Sequence, residues 1–187
     1  MSSTLEQAQQ LIPAEFRMIS GCKDEQTSAD VSNVSTFQLP DPAGRAGGAC
    51  TSAMLKVLYA DNKKPDNDLS FQEVLMAMRG VLSQGSYEQI PQLTSSRPLD
   101  MQHKFGLVPD NFSGTKRALM IGINYTGQQG ELSGCHNDVG NMMEYIKVRL
   151  GLHLHNLRGV TVIQCFRHTD TFSFRMFMGF LNRTLHS

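Results

Sequence analysis

Four cysteines and six histidines are the residues of this chain best suited to nucleophilic chemistry: Cys22, Cys50, Cys135 and Cys165, with His103, His136, His153, His155, His168 and His186. A thiol nucleophile needs a base within hydrogen-bond reach. Cys135 and His136 adjoin, and adjacent residues in a helix or strand point apart. Cys165 and His168 could meet only on a helical turn, so neither pair makes a sound dyad. His153 and His155 alternate as strand-borne ligands would, but no carboxylate lies nearby and they read as surface residues. The cysteines are widely spaced with no CxxC pattern, which argues against a disulfide framework or a zinc cluster. Reduced thiols in the cytosol are the simplest reading, with Cys50 a small hydrophobic residue on a helix face. The run Gly122 to Gly134 is rich in glycine but has neither G-K-[ST] nor GxGxxG, so a nucleotide-phosphate loop matches it poorly. Asp24, Glu25 and Asp30 read as a solvated loop. Asp138 sits at a helix start, where the dipole favours a carboxylate.

These residues must be positioned by one ordinary domain, since the chain has 187 residues. Hydrophobic residues make up 40% and charged residues 18%, a globular composition. Lys+Arg and Asp+Glu both number 17, giving zero formal net charge. With no basic run there is no electrostatic case for nucleic acid or an anionic membrane, and poor solubility near pH 7 is expected. The start, MSSTLEQAQQLIPAEF, lacks the basic and apolar regions of a secretory signal. No stretch reaches the roughly 18 apolar residues a membrane helix needs, so a cytoplasmic protein is expected.

Along the chain, Phe16 to Ile19 reads as a short strand that breaks at Ser20-Gly21. LPDPAGRAGG reads as a flexible surface loop by composition. ACTSAMLKVLYADN carries a helical stripe through Met54, Leu55 and Leu58. Ser70 with Glu73 makes a capping box for a helix whose face is Phe71, Val74, Leu75, Met78 and Leu82. That Met-rich stripe reads as core, not as a cofactor site. Gln89 to Leu93 reads as a strand, with Pro91 near an edge or a strand start. PDNFSGTK is a polar linker. Ala118 to Ile123 is a continuous apolar run, expected to be a strand buried on both faces of a parallel sheet. A helix starting at Asn137-Asp138 and stopping at Gly151, then a strand Val160 to Ile163, completes a βαβ pattern. The apolar tail TFSFRMFMGFLNRTLHS reads as a further helix.

Two stretches carry a family resemblance. KRALMIGINYTGQQGELSGCHNDVGNMMEYI, residues 116–146, resembles the opening of a metacaspase large subunit: a buried strand ending G-I-N-Y, a Gly-rich loop, then L-x-G-C-x-N-D-V. MISGCKDEQTSADV, residues 18–31, resembles the start of the metacaspase small subunit, and the likeness continues through Leu69 to Leu82 and QIPQLTSSRPLDMQHKFGL. The resemblance covers residues 17–107 and 116–163. The small-subunit-like part comes first, as in the type III arrangement, which is a circular permutation. The implied organisation is a small-subunit-like segment at 1–108, a linker at 109–115 and the N-terminal part of a large-subunit-like segment at 116–187.

The resemblance implies an α/β fold, a caspase-like αβα sandwich with a mostly parallel central sheet, incomplete in this chain. It implies a cysteine endopeptidase that cleaves peptides and proteins after Arg or Lys and is often stimulated by calcium. In the family, the catalytic His lies in H-S-G-H-G and the Cys in D-C-C-H-S-G. Neither motif occurs in these 187 residues. No catalytic residue is therefore assigned, nor any metal or cofactor in this chain, and the sequence is expected to stop before both elements. Asp138 matches the carboxylate of the family's S1 pocket and Cys135 a neighbour lining it, and the resemblance leaves open that the loop with Asp24, Glu25 and Asp30 borders the substrate cleft. A buried carboxylate there would pair with a substrate guanidinium. Against this peptidase reading stand a non-catalytic caspase-like regulator and, further off, an unrelated nucleotide-binding α/β domain.

Overall fold

The computed structural model of the chain describes residues 2–11, 14–39, 46–63, 69–109, 112–113, 118–150 and 160–165. Its elements are α1 (Ser2–Leu11), β1 (Arg17–Ser20), β2 (Asp30–Val31), a 3-10 turn (Val34–Phe37), β3 (Gly47–Gly48), α2 (Ala49–Lys63), α3 (Phe71–Gln84), β4 (Gln92–Ser95), β5 (Ala118–Ile123), α4 (Cys135–Leu150) and β6 (Val160–Cys165). The class is α/β, as expected. The strands form three two-stranded sheets among the described residues. β1 pairs antiparallel with β4, β2 antiparallel with β3, and β5 parallel with β6 from Ala118↔Val160 to Ile123↔Cys165.

The helical hairpin α2–α3 forms where the apolar stripes require it. Met54, Leu55 and Leu58 on α2 and Phe71, Val74, Met78 and Leu82 on α3 are all buried. Each such side chain contributes about 1.5–3 kcal/mol relative to exposure. Ser70 caps α3: its hydroxyl accepts from the Glu73 N–H at 3.2 Å, and a Glu73 carboxylate oxygen accepts from the Ser70 N–H at 2.7 Å. Phe71 meets Phe105 edge-on, with the Arg17 guanidinium 4.9 Å from the Phe71 ring centre. The same core continues into the second segment through Met120, Val139, Met142, Tyr145 and Ile146. Tyr59 of α2 and Tyr145 of α4 pack edge-on at 5.7 Å between ring centres. Residues on both sides of the 109–115 stretch thus share one core.

Several expectations change. Gly47 and Gly48, expected in a flexible loop, are β3, and Gly47 is buried. β4, expected from Gln89 to Leu93, runs from Gln92 to Ser95. Pro91 has no N–H for the ladder, so pairing begins just after it. The Pro91 carbonyl instead accepts from the Arg79 guanidinium at 2.9 and 3.2 Å. α4 begins at Cys135, two residues before the expected Asn137. α1 was not anticipated; its Ala, Leu, Gln and Glu are good helix formers without a clear apolar stripe. β5 has the expected bounds but is not buried on both faces. Met120 and Gly122 face α4 and the core, whereas Leu119 is 55% and Ile121 37% exposed. α4 covers one side of this strand, and no described element covers the other. The tail from residue 166, with His168 and His186, lies outside the described residues, as do Gly151, His153 and His155.

Candidate functional site

The N-terminal end of α4 docks onto β2, β3 and the start of α2. Chain crossing here needs glycine twice. A Cβ on Gly134 would overlap the Gly47 backbone, and one on Gly48 would lie 2.7 Å from Asp138 Oδ2. With no side chains between them, the two segments approach closely enough for backbone and side-chain hydrogen bonds. The Asp138 N–H closes the first turn of α4 on the Gly134 carbonyl at 2.9 Å. Its side chain leaves the helix: the Gly48 N–H donates to both carboxylate oxygens, at 3.0 and 2.9 Å, and the Thr51 side chain is a further hydrogen-bond partner. Asn137 Nδ2 donates to the Ala46 carbonyl at 2.8 Å. Asp30 Oδ2 accepts from the Ser133 N–H and hydroxyl, both at 2.9 Å.

Burial pushes the Asp138 carboxyl up to about 7, with nearby Asp30 adding to the rise, while the bonds from Gly48 and Thr51 act against it. Near neutral pH this group therefore exchanges between acid and carboxylate. Cys135 lies three residues earlier on the same helix. Its thiol is pushed up to about 11, mainly by burial and then by Asp138 and Asp30. Cys50, in the core, is pushed up to about 12 by burial, Asp138 and Cys22. Both thiols stay protonated at pH 7 and are poor nucleophiles. Cys22 donates its S–H to the Gln26 carbonyl at 3.1 Å. The loop bearing it is pinned by Gln26 and by buried Gln89, whose amide holds the Ala29 N–H and the Gly21 carbonyl.

Both predicted site residues therefore lie in the first turn of one helix. The structure adds Gly48, Thr51 and Asp30, which sequence reasoning left in a loop, on a helix face and in a solvated run. Asp30 is exposed, as expected, but it is a structural acceptor rather than a free charge. A signal was present in the A-D-V that ends MISGCKDEQTSADV, the stretch whose loop the resemblance leaves at the border of the cleft. Cys165 closes β6, and His168 lies outside the described residues, so their pairing is not described. Among the described residues, no group of three or more His, Cys, Asp or Glu could hold a metal ion. No described helix is long and apolar enough to cross a membrane.

A caspase-domain family model matches residues 3–102, and a metacaspase peptidase C14 domain model matches residues 116–171. The chain is 58% identical over 147 residues to metacaspase III c of Phaeodactylum tricornutum, covering 78% of this chain and 44% of that protein. It is 46% identical over 91 residues to metacaspase-3 of Trypanosoma cruzi, covering 49% of this chain and 24% of that one. Metacaspase-1 of Mycosarcoma maydis is 44% identical over 92 residues, 49% of this chain and 19% of that one. No solved structure matches. The chain belongs to the metacaspases, within the caspase-like cysteine peptidases. It spans less than half the length of these curated relatives.

Proposed function

We propose that this chain is the substrate-recognising part of a metacaspase-type cysteine endopeptidase that cleaves peptide bonds after Arg or Lys. Asp138 binds the basic side chain and Cys135 lines the same wall. The supporting observation is the Asp138 carboxyl, partly buried and turned out of its own helix, where its partners among the described residues are neutral hydrogen-bond donors, with Asp30 a nearby like charge. A cation entering there completes a pair that a lone buried carboxylate lacks. The neutral Cys135 and Cys50 thiols, and the absence of H-S-G-H-G and D-C-C-H-S-G from the sequence, support a chain that does not cleave by itself.

On this reading the organisation is 1–108, a 109–115 linker and 116–187, and the parallel β5–β6 pair belongs to a mostly parallel central sheet. The cysteines are reduced in the cytoplasm; Cys22, Cys50 and Cys135 are free thiols, which is consistent with that. Calcium stimulation is part of what the family resemblance implies, and no step is assigned to it. A second reading, a caspase-like protein that grips basic segments without cutting them, is favoured by the same missing motifs.

The deciding experiment compares two proteins on fluorogenic Arg and Lys peptides, with and without calcium. One is this chain and the other a version extended to carry both motifs. The chain alone is expected to give no Cys-dependent turnover. In the extended protein, Asp138→Ala should lower kcat/KM for Arg and Lys substrates by more than about a hundredfold, the ~3–5 kcal/mol cost of removing one partner of a buried pair. Reaction of its active thiol with an alkylating agent should be unchanged. Undiminished cleavage after Arg in that variant would reduce Asp138 to a helix-start residue. An extended protein that binds but never cleaves basic peptides would favour the second reading.

A further inference from the structure

The start of β2 is a fixed mount. The Ala29 N–H donates to Oε1 of buried Gln89 at 2.7 Å, and the Ala29 carbonyl accepts from the Ala49 N–H at 3.0 Å. The next residue, Asp30, lies opposite Gly48 in the β2–β3 pair. Its carboxylate reaches across to the loop that leads into α4. One oxygen, Oδ2, accepts from both the Ser133 N–H and the Ser133 hydroxyl at 2.9 Å. The other, Oδ1, lies against Gly134, where a Cβ would sit 2.8 Å from it. The Gly134 carbonyl then accepts from the Asp138 N–H at 2.9 Å, and the Asp138 carboxylate accepts from the Gly48 N–H. A closed circuit thus runs from Gly48 across the ladder to Asp30, through Ser133 and Gly134 into the first turn of α4, and back through Asp138 to Gly48.

We propose that Asp30 is a positioning residue for basic-side-chain recognition: by holding Ser133 it fixes the first turn of α4 against β3, and with it the place where Asp138 meets an incoming guanidinium or ammonium group. The inference rests on the assignment of Asp138 above and adds what seats its helix. The helix dipole favours a carboxylate at this end of α4, but a residue of the helix itself would serve that purpose, whereas Asp30 comes from 103 positions away. Ser133 is exposed, so without Asp30 water satisfies its donors and the fold loses little. What goes is the fixed approach of the loop to β2, and a small displacement of a binding group costs affinity steeply. The hydrogen bonds and the charge of Asp30 pull in different directions: the bonds hold the pocket, while the like charge raises the Asp138 carboxyl. They can be separated. Asp30→Asn keeps an oxygen able to accept both Ser133 donors and drops the charge, whereas Asp30→Ala drops both.

The test uses the 187-residue chain with N-acetyl-arginine methylamide as the probe, at pH 8, and follows Asp138 by its carboxyl carbon NMR shift. Asp30→Ala should weaken binding about tenfold. It should also move the Asp138 midpoint from about 7 down toward 3.8, because a loosened junction admits water to the carboxyl and the like charge is gone. Asp30→Asn should bind within about twofold of the unaltered chain and lower the midpoint only by the lost charge. Ser133→Ala, which leaves β2 untouched and keeps the Ser133 N–H position as a donor, should lose part of the affinity. Added to Asp30→Ala it should cost nothing further, since both act through one contact. A probe that does not bind the unaltered chain, or that binds Asp138→Asn equally well, overturns the assignment of Asp138 itself. Binding that requires Asp138 but is unmoved by Asp30→Ala and Ser133→Ala overturns the positioning role alone. So does Asp30→Asn binding as weakly as Asp30→Ala, which would make the charge and not the hold on Ser133 the active feature, and so does full additivity of Asp30→Ala with Ser133→Ala.

Discussion

Two helices of this molecule begin with a carboxylate in their first turn, and they use it in opposite ways. In α3, Glu73 folds back onto its own cap: it accepts from the Ser70 N–H, and its pKa is lowered by that bond and by the Ser70 side chain. In α4, Asp138 turns away from its own helix and is held by Gly48, 90 residues distant in the chain. The first carboxylate is exposed and stabilises a local structure. The second is partly buried, raised to about 7, and joins two segments. A helix-start carboxylate is therefore no guide to function by itself. What separates the two is whether the oxygens are consumed by the helix they begin.

The largest expected difference is in the sign and size of the pH dependence. Folded Asp138 keeps its proton to about pH 7, whereas the unfolded chain releases it near 3.8. Between these values the native state binds more protons, so its stability falls as pH rises across that window. The full span is up to about 4 kcal/mol. Asp138→Asn still offers an acceptor to Gly48 but does not titrate. Denaturant midpoints from pH 4 to 8 should slope downward in the unaltered chain and be markedly flatter in this variant. Equal slopes would mean that Asp138 is ionised throughout, and the contrast with Glu73 would collapse.

A smaller effect should come from crowding the junction. Gly48→Ala puts a methyl group 2.7 Å from Asp138 Oδ2, so the carboxylate must move. Overpacking of this kind costs about 1–3 kcal/mol. The loss should appear in hydrogen exchange at the start of α4, with the middle of α3 following only the change in global stability. A variant as stable as the parent, with Asp138 titrating as before, would show that the junction is looser than its distances imply.

The same contrast explains what could be read from the sequence. The capping box and the stripes of α2 and α3 were legible because every partner lies within four residues. β5 was legible as a strand, from Ala118 to Ile123, since a continuous apolar run terminated by a turn has few alternatives. Its burial was not, because that depends on which elements lie against Leu119 and Ile121. Asp138 and Cys135 could be singled out only through family-like motifs. Gly48, Thr51 and Asp30 could not be joined to them, since periodicity carries no information on contacts 90 or 103 residues apart. The composition of LPDPAGRAGG pointed to a loop, yet its last two glycines are the close-approach strand on which α4 rests.

The smallest effect concerns the local partner in the comparison. Ser70→Ala removes the hydroxyl that accepts from the Glu73 N–H and should cost about 1 kcal/mol, the usual value of a serine cap. Because α3 is packed through Phe71, Val74, Met78 and Leu82, the helix should persist, and circular dichroism at 25 °C should be unchanged. The loss should carry a pH signature opposite to that of Asp138. Glu73 has a lowered pKa when folded, so its contribution is present above its unfolded value and fades as pH falls through the folded one. Ser70→Ala removes the hydroxyl's part of that lowering and leaves the Ser70 N–H in place, so the gap between parent and variant should narrow as the pH falls below 4.5. The titration of Asp138 should be untouched, since no Asp138 partner lies on α3. A Ser70→Ala chain whose Asp138 midpoint moved would show the two helix starts to be coupled through the core shared by α2, α3 and α4, and the separation between a local and a bridging carboxylate would fail.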